Sequence, residues 1–147
     1  GAMAGLNTPD WNAAPVAALA GFAGELGYAF QLCDDLLGVY GEEQTFGKPL
    51  CSDFREGKPT VLFLEAMERL STAGRAELGS LMKRPVYSAG EILRIRALLE
   101  ECGARAAVVR AAEESSEKAL ANLATLPESK YRLLLEALAD ELLKRNV

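Results

Sequence analysis

Histidine is absent from this chain of 147 residues, and cysteine is scarce. Without histidine we expect neither a zinc site of the usual histidine–cysteine type nor a catalytic triad with a histidine base. The three cysteines, Cys33, Cys51 and Cys102, are an odd number without close spacing. This pattern argues against a disulfide framework and favours a reducing compartment, so we expect a cytoplasmic protein.

Positive charge and long apolar runs are also in short supply. Lysine and arginine contribute 16 residues against 21 aspartates and glutamates, which gives a net charge of −5. Because nucleic-acid-binding proteins normally carry a basic patch, nucleic acid is not an expected partner. No apolar run is long enough to span a bilayer, and no secretory leader is recognisable. We therefore expect neither a nucleic-acid-binding nor a membrane-spanning protein.

The β-branched residues that favour strands are scarce, with two isoleucines and seven valines against 24 leucines and 24 alanines. This balance favours helices. Ser88–Glu91 and Thr125–Glu128 have the capping-box pattern that starts a helix, and Pro59 suits the first turn of another. With no repeat or linker in the chain, residues 1–147 are predicted to form a single domain, an all-α helical bundle.

Two adjacent carboxylates, Asp34 and Asp35, interrupt an apolar helix near its predicted C-terminal end. Carboxylates are preferred ligands of hard cations such as Mg²⁺. A bound cation would offset both the repulsion between the two charges and their unfavourable place in the helix macrodipole. The alternative is a solvated helix face, which is the commoner explanation of an Asp-Asp pair considered alone.

A polar loop at 41–57 follows this helix and leads to a second group of chemically suited residues. Lys48 and Lys58 each follow a glycine, and Asp53 lies midway between them. Glycine permits a tight turn and close approach to an anion, and lysine binds phosphate oxygens. Either Gly-Lys pair alone is more often part of an ordinary charged loop. Together with the two aspartates, the pattern predicts a site for a Mg²⁺-bridged diphosphate.

The same residues resemble a motif of a known enzyme family. They are similar to the second aspartate-rich region of the trans-isoprenyl diphosphate synthases, most closely that of bacterial geranylgeranyl diphosphate synthases. The specific match spans about residues 24–64, and its matched positions are Phe30, Gln31, Asp34, Asp35, Gly47, Lys48, Asp53, Arg55, Glu56, Gly57, Lys58 and Thr60. The resemblance implies an all-α prenyltransferase fold, of which this chain looks like the C-terminal part.

In that family an allylic diphosphate condenses with isopentenyl diphosphate at a cluster of Mg²⁺ ions. The resemblance therefore implies a Mg²⁺-dependent prenyltransferase with geranylgeranyl diphosphate as the expected product. Its expected catalytic residues are Asp34, Lys48 and Lys58. By matched position, the resemblance makes Asp34 the principal metal ligand, Asp35 a ligand or its support, and Asp53 a support of the metal-bound water. It assigns the clamp on the allylic diphosphate to Lys48 and Lys58. Phe30 and Gln31 would border the substrate cavity.

Two departures from the family pattern affect these expectations. Gly38 stands where the general motif has a third aspartate, which weakens the metal-ligand assignments. The chain has no second Asp-Asp pair, so the family's first aspartate-rich motif is missing. We therefore expect the chain to be inactive alone and to need the N-terminal half of the same enzyme. For the parent protein the resemblance implies a homodimer.

Two other functions stay open on the sequence. A non-catalytic subunit or binding module of the same fold would act by pairing with a catalytic partner. A plain helical interaction protein would explain the helices, but it leaves the spacing of Asp34, Lys48, Asp53 and Lys58 without a reason.

Overall fold

The computed structural model of the protein describes residues 2–5, 7–41 and 49–144, so the predicted site residue Lys48 lies outside the described residues. Every regular element within these ranges is an α-helix, which confirms the all-α prediction. In chain order the helices are α1 (Ala2–Gly5), α2 (Ala14–Tyr40), α3 (Ser52–Glu56), α4 (Val61–Arg69), α5 (Thr72–Leu81), α6 (Ala89–Glu101), α7 (Ala104–Ala124) and α8 (Lys130–Lys144).

Helix α4 begins with a side-chain cap. The Thr60 hydroxyl oxygen accepts a hydrogen bond from the Phe63 backbone N–H at 3.2 Å. This contact satisfies one of the donors that a helix start leaves open. Pro59 lies before the cap, so the prediction that it occupies the first helical turn is wrong. The threonine directly after the proline takes the cap position and moves the helix start along the chain.

Of the two predicted capping boxes, one is present and the other is not. Ser88 and Glu91 exchange both hydrogen bonds of the box at the start of α6. Thr125 instead donates its hydroxyl to the Asn122 carbonyl at 2.7 Å, at the end of α7. The side chain that accepts a backbone N–H at the start of α8 belongs to Ser129. The second prediction is wrong because α8 begins four residues later than the Thr125 pattern requires.

The described residues form two compact units. The first comprises residues 2–31 and 112–144 and contains α1, the first part of α2, most of α7, and α8. At Gly21 an added Cβ would lie 2.7 Å from the Asn122 side chain, so α2 and α7 pack closely there. The single domain over residues 1–147 stays a prediction. The buried core of this unit consists of Phe22, Leu26, Ala119, Leu123 and Ala139, with Leu19, Leu120, Leu126, Leu135 and Leu142 packed against it.

The second unit comprises residues 32–111 and holds the three predicted site aspartates. Within it α6 contacts both α4 and α5. The Phe54 and Phe63 rings meet edge to face with centroids 6.0 Å apart, which packs α3 against α4. The Cys51 backbone N–H donates to the Gly38 carbonyl at 2.7 Å and ties the start of α3 to the last turns of α2. The largest fully buried side chains of this unit are Leu32, Leu62, Leu78, Ile95, Leu99, Val108 and Cys51.

Helix α2 is long and apolar enough, by length and composition, to cross a membrane. The expectation that no apolar run reaches that length is therefore wrong. Alanines and glycines lie between the larger apolar residues of α2, and they do not interrupt an apolar segment. A helix in the core of a protein meets the same description, and Phe22, Ala29 and Leu32 of α2 are buried.

Candidate functional site

The two adjacent aspartates of α2 have different surroundings. Asp34 is partly exposed to solvent, whereas Asp35 is buried at 4% exposure. The Asp35 Oδ2 atom accepts a hydrogen bond from the backbone N–H of Val61 at 3.0 Å. Val61 is the first residue of α4, and a negative charge at a helix N-terminus is stabilised by the helix macrodipole. Asp35 therefore joins the end of α2 to the start of α4, and Asp34 is the more accessible of the two carboxylates.

The third predicted aspartate, Asp53, lies in the first turn of the short helix α3 and contacts α2. A Cβ added at Gly38 would lie 3.6 Å from the Asp53 Oδ2 atom. Gly38 follows Asp34 by four residues, so the two lie on the same face of α2. Because a glycine stands at position 38, the Asp53 carboxylate approaches the face of α2 that carries Asp34.

Lys58 pairs with two carboxylates of the segment before it. Its Nζ atom lies 3.0 Å from Asp53 Oδ1 and 2.7 Å from Glu56 Oε2. Hydrogen bonds to Glu56 and then to Asp53 raise the pKa of the Lys58 ammonium above its usual value. The Lys58 side chain is 56% exposed, so a ligand can reach it from solvent. The structure thus holds a charged, accessible lysine next to Asp53.

The turn before Lys58 depends on a glycine. Gly57 ends α3 with a positive φ of 71°, a conformation that residues with a Cβ rarely adopt. The Lys58 N–H donates to the Asp53 carbonyl at 2.9 Å and closes the turn. A Cβ added at Gly57 would also lie 2.7 Å from the Cε atom of Lys83. The Gly-Lys pattern is therefore a tight turn, as predicted, and the backbone there is closely approached by a second lysine.

The carboxylates do not form a preassembled metal cluster. In the part of the chain that the structure describes, no group of three or more histidine, cysteine, aspartate and glutamate side chains could hold a metal ion. Asp35 bonds to Val61 and Asp53 pairs with Lys58. Mg²⁺, however, is usually bound by one or two carboxylates together with substrate phosphates and water. The donor chemistry therefore fits Mg²⁺ through Asp34, with Asp35 as the support.

The structure does not test three of the predicted site residues. Lys48 lies outside the described residues, and its part in the clamp stays a prediction. Phe30 and Gln31 belong to the first compact unit and are exposed on α2, Phe30 at 43%. Their place at the border of a cavity also stays a prediction. The structure brings together Asp53 and Lys58 and attaches them to the end of α2.

Two elements near the site were not predicted from the sequence. Residues 52–56 of the predicted loop are helical and form α3. Lys83, in the connection after α5, reaches Gly57 although 26 positions separate the two residues. The Lys83-Arg84-Pro85 segment is a basic turn by composition, but nothing in its spacing relates it to Lys58.

The cysteines have no disulfide partners, in agreement with the sequence prediction. Cys33, Cys51 and Cys102 are all thiols outside any disulfide. Burial raises the pKa of Cys51 to about 11, so its thiol is protonated at neutral pH. A protonated, buried thiol is a poor nucleophile and a poor metal ligand. Cys51 therefore has a packing role beside the site.

The structure predicts that replacing the two neighbouring aspartates changes stability by unequal amounts. Asp35→Ala should lower the free energy of unfolding by about 1–3 kcal/mol, because the Val61 N–H would lose its buried acceptor. Asp34→Ala should change it by less than about 0.5 kcal/mol, since that side chain is partly exposed. Urea denaturation followed by far-ultraviolet circular dichroism measures both values. Equal losses for the two variants would contradict the supporting role of Asp35.

The chain matches one family model and several known proteins. A family model described as polyprenyl synthetase matches residues 2–99. The chain is 37% identical over 116 residues to the all-trans-nonaprenyl-diphosphate synthase (geranyl-diphosphate specific) of Rhodobacter capsulatus, which covers 78% of this chain and 34% of that protein. It is 36% identical over 111 residues to the geranylgeranyl diphosphate synthase of Mycobacterium tuberculosis, which covers 75% of this chain and 31% of that protein.

A solved structure is also similar to this chain in its fold. The chain is similar to the geranylgeranyl pyrophosphate synthase of Corynebacterium glutamicum complexed with isoprenyl diphosphate and magnesium. The TM-score is 0.80 and the sequence identity 34%, over 88% of this chain and 37% of that one. The chain thus spans about a third of the length of the relatives it matches.

Proposed function

Because the chain belongs to the polyprenyl synthetase family, we propose that it is part of a Mg²⁺-dependent trans-prenyl diphosphate synthase. The observation that supports this function best is the position of the Lys58–Asp53 ion pair. Asp53 lies against Gly38 on the face of α2 that carries Asp34, so a cationic group and carboxylates share one end of the helix. A metal-bound diphosphate requires both kinds of group.

In this proposal the substrates are an allylic diphosphate and isopentenyl diphosphate. Bound Mg²⁺ would neutralise charge on the diphosphate that leaves the allylic carbon. Asp34 would hold that ion, and Lys58 would bind the phosphate oxygens. Asp53 keeps Lys58 in place before the ligand arrives, since Asp53 Oδ1 already lies 3.0 Å from Lys58 Nζ. Asp35 accepts a hydrogen bond from the Val61 N–H and so fixes the start of α4, three residues after Lys58.

The finer parts of the proposal concern the product and the partners. Geranylgeranyl diphosphate is the proposed product, supported by the similarity to synthases of that type. The similarity to a nonaprenyl-diphosphate synthase makes a longer prenyl diphosphate the main alternative product. We propose that the opposing carboxylates come from the N-terminal half of the same enzyme. The parent protein is proposed to be a cytoplasmic homodimer, in line with the sequence expectation.

A second candidate is a non-catalytic subunit of the same fold. It is favoured by one observation: Asp35 bonds to Val61 and Asp53 pairs with Lys58, and Asp34 is more accessible than Asp35. Such a subunit would bind the diphosphate without turning it over. Adding the chain to a separately purified catalytic subunit and measuring the rate of condensation would distinguish it from a part of the enzyme itself.

Isothermal titration calorimetry with inorganic pyrophosphate and Mg²⁺ tests the proposed site directly. The chain should bind pyrophosphate only when Mg²⁺ is present. Asp34→Asn and Lys58→Met should each weaken binding by about tenfold or more, because each removes one charge-assisted contact. Glu117→Gln and Lys130→Met, which change exposed charges of the other compact unit, serve as matched controls and should bind as the unmodified chain does. Binding that survives Lys58→Met unchanged would refute the clamp.

A further inference from the structure

Lys83 lies against the turn that presents Lys58. Its side chain runs along the Gly57 backbone, so that an added Cβ at position 57 would lie 2.7 Å from Cε and 3.0 Å from Cγ of Lys83. The ammonium nitrogen is one bond beyond Cε. The charge of Lys83 is therefore next to the residue that precedes Lys58, although Lys83 comes from a different part of the chain.

The position of Lys83 is fixed by several contacts. Its backbone N–H donates to the Phe54 carbonyl at 2.9 Å, which ties the end of α5 to α3. Lys83 has a positive φ of 58°, a conformation that costs free energy for a residue with a Cβ. The Tyr87 hydroxyl donates to the Leu81 carbonyl at 2.6 Å and closes the same connection. Lys83 directly follows Met82, the C-cap of α5, and helices commonly end with a residue in this left-handed conformation.

The two lysines differ in their ionic partners. Lys58 is paired with both Glu56 and Asp53. Among the described residues no carboxylate forms an ion pair with Lys83. An anion that arrives at the turn can therefore bind Lys83 without first displacing a carboxylate, whereas binding Lys58 requires an exchange of partners.

We propose that Lys83 is a further diphosphate-binding residue beside Lys58. This inference rests on the proposed function and adds a residue to its site. The alkyl stem of Lys83 packs on the Gly57 backbone and leaves only the ammonium group to be ordered, which lowers the entropic cost of binding. The ligand chemistry is that of a diphosphate with bound Mg²⁺, since a second lysine against the turn that presents Lys58 suits a ligand with several negative oxygens.

Calorimetric titration of the 147-residue chain with Mg²⁺ and inorganic pyrophosphate, at low and high salt, tests this role. Lys83→Met keeps the packing stem and removes the charge, and it should weaken binding by about fivefold at low salt. The loss should shrink at high salt, because screening reduces the contribution of an exposed charge. Lys83→Arg should retain most of the affinity. Lys83→Gly, which accepts the positive φ, gives a second charge-free variant that folds without strain.

The outcomes separate this inference from the proposed function. If Lys58→Met weakens binding while Lys83→Met matches the control Lys130→Met, the role of Lys83 is overturned and the site stands. A loss for Lys83→Met that is equal at both salt concentrations also overturns it, since a purely structural effect would not respond to screening. If the unmodified chain binds no pyrophosphate with Mg²⁺, the proposed function is refuted, and the role of Lys83 with it.

Discussion

Asp34→Asn should lower the kcat/KM of the parent enzyme by about 100- to 1,000-fold. Loss of a metal ligand removes charge stabilisation from the transition state, which is typically worth several kcal/mol. Asparagine keeps the size of the side chain and removes its charge, so packing of α2 should be retained. Steady-state rates of condensation with an allylic diphosphate, isopentenyl diphosphate and Mg²⁺ at a concentration that saturates the unaltered enzyme measure the effect.

Two controls define what this result means. Glu117→Gln removes one negative charge from an exposed position of α7 and should leave the rate unchanged. Raising the Mg²⁺ concentration should restore part of the activity of Asp34→Asn if the carboxylate acts as a metal ligand. A rate near that of the unaltered enzyme at ordinary Mg²⁺ concentrations would rule out the proposed role of Asp34.

The second large effect concerns the chain by itself. Incubated with an allylic diphosphate, isopentenyl diphosphate and Mg²⁺, the 147-residue chain should form no detectable elongated prenyl diphosphate. In the proposed site Asp34 and Lys58 would supply one side of a metal and phosphate site, and the given sequence has no second Asp-Asp pair to supply the other. A carbocation formed without a closed cavity would also be quenched by water. Product analysis by chromatography and mass spectrometry measures the outcome.

The matched control for this experiment is the full-length parent enzyme, which should elongate the same substrates under the same conditions. Adding the N-terminal half of the parent as a separate chain should restore part of the activity, because it would supply the opposing carboxylates. Efficient elongation by the 147-residue chain alone would contradict the need for an upstream motif, and the proposal of a partial enzyme would have to be abandoned.

The sequence alone was sufficient for the helical class. Abundant alanine and leucine with few β-branched residues favour helices wherever they occur in the chain, so the class does not depend on tertiary contacts. The Ser88–Glu91 box was also predictable, since its two hydrogen bonds form within four residues. The association of Asp53 with Lys58 follows from a short spacing and a glycine turn.

Other features were decided by contacts between residues that are distant in sequence. Asp34 and Asp35 are chemically identical in the sequence, and only the tertiary structure buries Asp35 and gives it the Val61 N–H at the start of α4 as a partner. The place of Lys83 depends on the path of α4 and α5, which returns the chain to Gly57. Local patterns contain no information on such approaches. The motif therefore predicted the chemistry, and the tertiary structure decided which of its carboxylates is more accessible and which lysine lies against the Gly57 turn.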